Sequence, residues 1–298
     1  SSHMSFKEMM FEAAVKAYED AGIDPRKDVD GFITCAEDYW EGMSIFDEFV
    51  PDQLGAVLKP MCTITGDGLY GLITAYMQIK AGLFDLVVVE AHSKASDILT
   101  YDGILQFALD PIYYRPLHAH PYFIAGMEMR RYLHETNVSE EHCAMVVSKN
   151  RGNALSNPNA SYGAKISIED VLESKPVFEP LKKLDVSQLS DGCVVMVLAA
   201  ENIAKKLTDT PVWIKGVGWA SETPSLEVRD WSKAVYARIA AEMAYKYAKI
   251  KNPRKEIDVF EVDDRFSYKE LMHLEALGVC EFGEAGKLIE EGITQRGG

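Results

Sequence analysis

The stretch from Pro60 to Ser96, PMCTITGDGLYGLITAYMQIKAGLFDLVVVEAHSKAS, constrains the fold of this chain more than any other. Thr65-Gly66-Asp67-Gly68 carries turn residues, and Leu69, Leu72, Ile73, Tyr76 and Ile79 then recur at helical spacing up to Ala81-Gly82, a C-cap signal. Leu86 to Val89 is an unbroken, largely β-branched run bounded by polar residues, the mark of a strand covered on both faces. A helix that starts on glycines presents unpaired amides and a partly positive end, which suits a thiolate or an oxyanion. The simpler alternative is that Thr65 N-caps a core helix and the glycines are packing space. Pattern alone favours this alternative.

The rest of the composition narrows the classes. A chain of 298 residues can bury a substantial core, as one large domain or two sub-structures. The formal net charge of -15 argues against nucleic acid or an anionic membrane as the main partner, while leaving room for a local basic pocket for a phosphorylated cofactor. Cys35, Cys62, Cys143, Cys193 and Cys280 are widely spaced, with no C-x-x-C pair. That spacing suits reduced thiols in a cytoplasmic protein and no metal site. No apolar run reaches membrane-spanning length.

In chain order, Phe6 to Ala21 reads as an amphipathic helix closed by Gly22-Ile23-Asp24-Pro25, and Val29 to Thr34 as a short strand. Asp97 to Tyr122 is aromatic and interrupted by Pro111, Pro116 and Pro121. Its His118 and His120 lack a third ligand at metal spacing and read as loop histidines. Helices follow over Ile124 to His134 and Ser139 to Asn150. Asp191-Gly192 reads as a hairpin-type turn before a buried strand, Val194 to Leu198. A second cycle then runs from a strand, Val212 to Gly218, through a helix, about Ala234 to Ile250, to a strand, Ile257 to Val262. The helix-then-strand order of Phe6 to Ile33 is thereby repeated, as in a fold built from two similar halves.

Taken together these segments resemble the thiolase superfamily. The Pro60–Ser96 stretch resembles its nucleophile segment, C-x-S-G…A…I…G followed by D-x-V-x-V. Counting back from Ile79-Lys80-Ala81-Gly82, the family's cysteine falls on Thr65 and its S-G pair on Asp67-Gly68. Val146 to Ala160 resembles the V-x-K-N-R-x-x-A-x-x-N-P-x-A segment of the sterol-carrier-protein branch, and Leu189 to Leu198 the S-D-G-A-x-A-x-V-L turn and strand. Glu261-Val262-Asp263-Asp264-Arg265-Phe266 resembles the E-x-H-D-x-F box, with Asp263 where that branch has histidine and other thiolases asparagine. The family's first strand and its C-terminal segment with a second catalytic cysteine have no counterpart here.

The resemblance implies an α/β protein with a thiolase-like five-layer αβαβα fold from two similar halves, the second incomplete. The expected halves are 5–205, with a loop region at about 97–180, and 206–298. It also implies coenzyme A or an acyl-CoA as ligand. Thr65 and Asp263 are the expected catalytic positions, both substituted, with Asp67, Gly68 and Phe266 expected to line the substrate. A threonine hydroxyl is a poor nucleophile without an adjacent base. The expectation is an acyl-CoA-binding homologue without covalent acyl transfer, either a structural subunit or a CoA-ester lyase. The alternatives are an active acetyl-CoA acetyltransferase using Cys62 and a non-catalytic scaffold. The family further implies a homodimer formed through the region of Cys35 to Val57, and a small zinc-ribbon and OB-fold partner that binds acyl-CoA.

Overall fold

The computed structural model of the chain describes residues 3–37, 43–98 and 100–297. Its principal elements are α1 (Phe6–Ala21), β1 (Gly31–Ala36), β2 (Met61–Thr65), α2 (Gly68–Lys80), β3 (Leu86–Ser93), α3 (Pro121–Glu135), α4 (Glu140–Ala154), β4 (Pro176–Phe178), β5 (Leu181–Lys182), β6 (Gly192–Ala199), α5 (Val235–Ala248), α6 (Ser267–Ala276) and α7 (Ala285–Glu290). The chain divides into two compact units, one of residues 1–104 and 189–213, the other of 105–188 and 214–298. The aromatic, proline-rich segment therefore belongs mostly to the second unit.

The first unit is a four-stranded sheet in the order β2-β1-β3-β6. β1 runs parallel to both β2 and β3, and β6 pairs antiparallel with β3. Alternation along the strands sorts side chains to two faces. Phe32 and Val88 pack with Phe6, Met10 and Ala14 of α1. Ile33, Val87 and Val89 pack with Ala75, Leu72 and Ile79 of α2. Helix α1 has the bounds expected from its apolar face. It starts on a capping box, in which Ser5 and Glu8 satisfy each other's backbone amides, and ends on Gly22 at φ 66°.

Helix α2 is covered on one side only. Gly71 and Ala75 are buried against the sheet, but Leu69 is 68% exposed and Tyr70 and Met77 are each 43% exposed. Within its unit the helix has one sheet to pack against, so its outer face stays open.

In the second unit α3, α4, α6 and α7 share a core built from Met129, Tyr132, Val146, Leu271, Met272 and Ile289, beside the small β4–β5 ladder. The expected strands at Val212–Gly218 and Ile257–Val262 do not form. A strand needs a partner backbone to take its amides and carbonyls. Among the described residues these segments have none, apart from the bridge Val186–Phe266 just beyond the second. The first instead lies directly on α5. A Cβ on Gly216 would sit 2.2 Å from the Ala244 carbonyl oxygen, which is why that position carries no side chain. Asp191-Gly192 is likewise not a hairpin turn, since β6 returns to pair with β3 and Asp191 holds Lys94 instead.

Candidate functional site

The mouth of α2 is set by three local facts. Thr65 is the last residue of β2 and pairs with Ala36. Gly66 follows at φ 143°, a conformation that favours glycine, and its amide donates to the Ala36 carbonyl at 3.2 Å. Asp67, and not Thr65, is the N-cap: its carboxylate accepts from the Leu69 amide at 3.0 Å. Gly71 lets the helix close on the sheet, because a Cβ there would lie 2.3 Å from Cys35 Sγ. Thr65 and Asp67 are exposed, and among the described residues no side chain hydrogen-bonds the Thr65 hydroxyl.

Cys62 does not reach this mouth. It sits on β2 opposite Ile33 and packs, with Ile64, into the apolar layer between sheet and α2. Burial and the nearby Asp47 push its thiol up. Burial raises the other four thiols as well, Cys35 and Cys280 to about 12. No thiol of the chain is in a thiolate-stabilising setting.

On the opposite face of the same sheet lies a buried polar cluster that the sequence reading passed over. Glu90, fully buried, accepts from the Thr34 hydroxyl at 2.6 Å and from Cys193 Sγ at 3.2 Å, and its Oε1 lies 3.0 Å from His92 Nδ1. His92 stacks on Phe6 and meets Phe46 edge-on. Further along the strand, Lys94 Nζ is 2.7 Å from Asp191. Although burial works against its charge, Lys94 and Ser96 hold the Asp191 carboxyl down to about 2. The signal was the alternation Glu90, His92, Lys94, which continues the inward face of β3 beyond Val89.

The second unit holds the Asp263 box. Phe266 is buried, edge-on to Tyr122 and stacked on Tyr268, so it is a core residue and not an exposed lining residue. Asp263 is exposed, and its Oδ1 accepts from the Arg265 amide at 2.9 Å. The K-N-R segment and this box are tied together by side chains. Lys149 meets Glu270 at 2.6 Å, and Asn150 Nδ2 donates to both Asp264 and Glu270 at 2.8 Å. A cavity of about 180 Å³ opens beside them, lined in part by Asn150, Arg151, Tyr162, Gln188 and Asp264.

Behind the box, α6 turns Tyr268, Lys269 and His273 inward. Lys269 Nζ lies 2.6 Å from Glu128 Oε2, which also accepts from Tyr268 Oη at 2.6 Å, and Arg229 stands 3.4 Å from Oε1. The sequence reading named none of these residues. Helical spacing offered only buried ionisable positions, without saying what they face. Structure thus groups Thr65, Asp67 and Gly68 in one unit, and Asp263 and Phe266 in the other. His120 is a helix cap, its Nδ1 accepting from the Tyr122 amide. Among the described residues no group of three or more His, Cys, Asp or Glu could hold a metal ion, and no helix is long and apolar enough to cross a membrane.

Residues 218–298 match the family described as Thiolase C-terminal domain-like. The acetyl-CoA acetyltransferase of Methanothermobacter thermautotrophicus is 31% identical over 98% of this chain and 77% of its own length. Sterol carrier protein 2 of Oryctolagus cuniculus is 31% identical over 61% of this chain and 34% of its own. The solved Ltp2-ChsH2(DUF35) aldolase superposes with a TM-score of 0.81 at 25% identity, over 98% of this chain and 77% of that one. The acetyltransferase and aldolase likenesses span both units. The chain belongs to the thiolase superfamily, in the branch that includes sterol carrier protein 2 and the archaeal acetyl-CoA acetyltransferases.

Proposed function

We propose that this chain binds acyl-CoA without forming an acyl-enzyme, and acts as a CoA-ester lyase of aldolase type or as the acyl-CoA-binding subunit of one. The observation that carries this reading is the state of the nucleophile. An exposed threonine, whose hydroxyl no side chain among the described residues hydrogen-bonds, stands at the α2 mouth, and burial raises all five thiols above their ordinary range. Retro-aldol cleavage of a β-hydroxyacyl thioester needs no thiolate. A base takes the hydroxyl proton, the Cα–Cβ electrons pass into the thioester as an enolate, and an acid returns a proton to Cα. Asp263, an exposed carboxylate at the family's catalytic position, is the residue we assign to proton transfer. The likeness to a solved aldolase supports the lyase form.

The same reading includes assembly. β2 is an edge strand, and with the region of Cys35 to Val57 it forms the face assigned to a homodimer; residues 38–42 of that region lie outside the described residues. A small zinc-ribbon and OB-fold protein that binds acyl-CoA is the proposed partner, in line with a solved complex that carries a DUF35 chain. Titration calorimetry with acetyl-CoA tests the binding. Micromolar affinity weakened by Thr65→Tyr, which fills the α2 mouth, supports the reading, and no binding with or without the partner contradicts it.

A second reading, an active acetyltransferase, is favoured by the 31% identity to enzymes of that name. It requires an acetyl group carried on a cysteine, with Cys62 the expected carrier.

A further inference from the structure

The buried charges behind Asp263 are arranged in one direction. Glu128, Lys269 and His273 are 5, 9 and 7% exposed, and Tyr236 is half-buried between the last two. Lys269 Nζ stands 3.5 Å from Tyr236 Oη, Tyr236 Oη stands 2.9 Å from His273 Nε2, and His273 Nδ1 stands 3.4 Å from the Asp263 carbonyl oxygen. An ammonium group has only donors, so the phenol oxygen accepts from Lys269 and its own hydrogen is left for His273 Nε2. The neutral imidazole then carries its hydrogen on Nδ1, which faces a carbonyl. The other tautomer would set Nδ1, an acceptor, against the carbonyl oxygen and leave the phenol hydrogen without an acceptor. Each hydrogen is therefore fixed by the one before it.

We infer that Lys269, Tyr236 and His273 form a one-way hydrogen-bond relay that ends on the main chain of Asp263, which makes Tyr236 and His273 positioning residues of the Asp263 site. The charges around the imidazole agree. Lys269 faces it with positive charge, Glu128 and the Asp263 carboxylate with negative. Burial first, and Lys269 second, hold His273 below the usual histidine range, so the neutral ring persists at neutral pH. The relay sets the direction in which the exposed Asp263 carboxylate is presented. Its bearing on catalysis rests on the assignment of Asp263 to CoA-ester chemistry, but its existence does not.

The test uses the full chain labelled with ¹⁵N. Long-range ¹H–¹⁵N spectra of the imidazoles, with His273 identified by its loss in His273→Gln, are expected to show the neutral Nδ1–H tautomer at pH 7. Tyr236→Phe is expected to shift that ring toward a tautomer mixture and to move the Asp264 amide nitrogen, which reports on the Asp263 carbonyl. A cationic or Nε2–H ring at pH 7, or a Tyr236→Phe variant that leaves ring and amide unmoved, overturns the relay. Acetyl-CoA binding separates position from packing. His273→Asn keeps a donor near the Nδ1 position, whereas His273→Gln puts its donor at the Nε2 position. Asn is expected to retain wild-type affinity and Gln to weaken it about fivefold, the scale of one net hydrogen bond. Equal losses in both overturn the positioning role. A wild-type chain that shows the tautomer but binds no acetyl-CoA removes the proposed function and leaves the relay standing.

Discussion

Each unit of this chain holds a cluster built on a buried carboxylate, Glu90 in the first and Glu128 in the second, and the two clusters are built on opposite principles. Around Glu90 the partners are a threonine hydroxyl and a thiol from the two neighbouring strands, and an imidazole from its own strand. Around Glu128 the partners are an ammonium, a guanidinium and a phenol, from α6 and from the segment before α5. The first cluster packs beneath α1, with His92 stacked on Phe6. The second runs outward through Tyr236 and His273 to Asp263. A sheet can satisfy a buried carboxylate with short side chains because register places them opposite each other. Helices at wider spacing need long cationic side chains to do so, and these bring net charge and direction with them.

The largest expected effect breaks the second cluster at its root. Glu128→Gln strips the counter-charge from Lys269 and Arg229, and urea titration should show a loss of about 3–5 kcal/mol, as when a buried ion pair loses one partner. A loss under about 1 kcal/mol would mean that water reaches Lys269. Glu90→Leu should cost less, about 1–3 kcal/mol by the same titration, because it leaves uncharged donors such as the Thr34 hydroxyl without an acceptor. If the two losses came out equal, the distinction between uncharged and charged donors would fail.

These expectations rest on residues of different legibility. Helix α1 was readable to the residue because its apolar face, the Ser5 start and the Gly22 stop all agree. β3 was read only to Val89, since Glu90 looked like an end signal, yet the inward face continues through Glu90 and His92. Thr65 looked like a cap, but a cap needs its oxygen over the N2 or N3 amide, and the Gly66 conformation gives that place to Asp67. The strands expected at Val212–Gly218 and Ile257–Val262 have strand-like composition, which describes a side-chain surface and cannot supply a pairing partner. Asp263 was found by its motif. Tyr236 and His273 belong to no motif, and only three-dimensional packing brings them to it.

The smallest effect is the pH dependence tied to His273. His273 is held below its ordinary pKa in the folded state, so the unfolded chain takes up its proton first as pH falls. The stability tied to this group is complete above about pH 6.5, the unfolded value, and declines as pH drops from there through the lower folded value. His273→Gln should flatten that part of the stability–pH curve relative to wild type, measured by urea midpoints from pH 7.5 to 5. An unchanged slope would show that His273 is already solvated.

Whether a covalent acyl-enzyme forms is read from intact mass after incubation with acetyl-CoA. The full chain, alone and with the proposed small partner, is quenched in acid and weighed. The account predicts the unmodified mass under both conditions, together with measurable acetyl-CoA binding. A stable added acetyl group that maps to Cys62 and disappears in Cys62→Ser would contradict it and establish the acetyltransferase reading in its place.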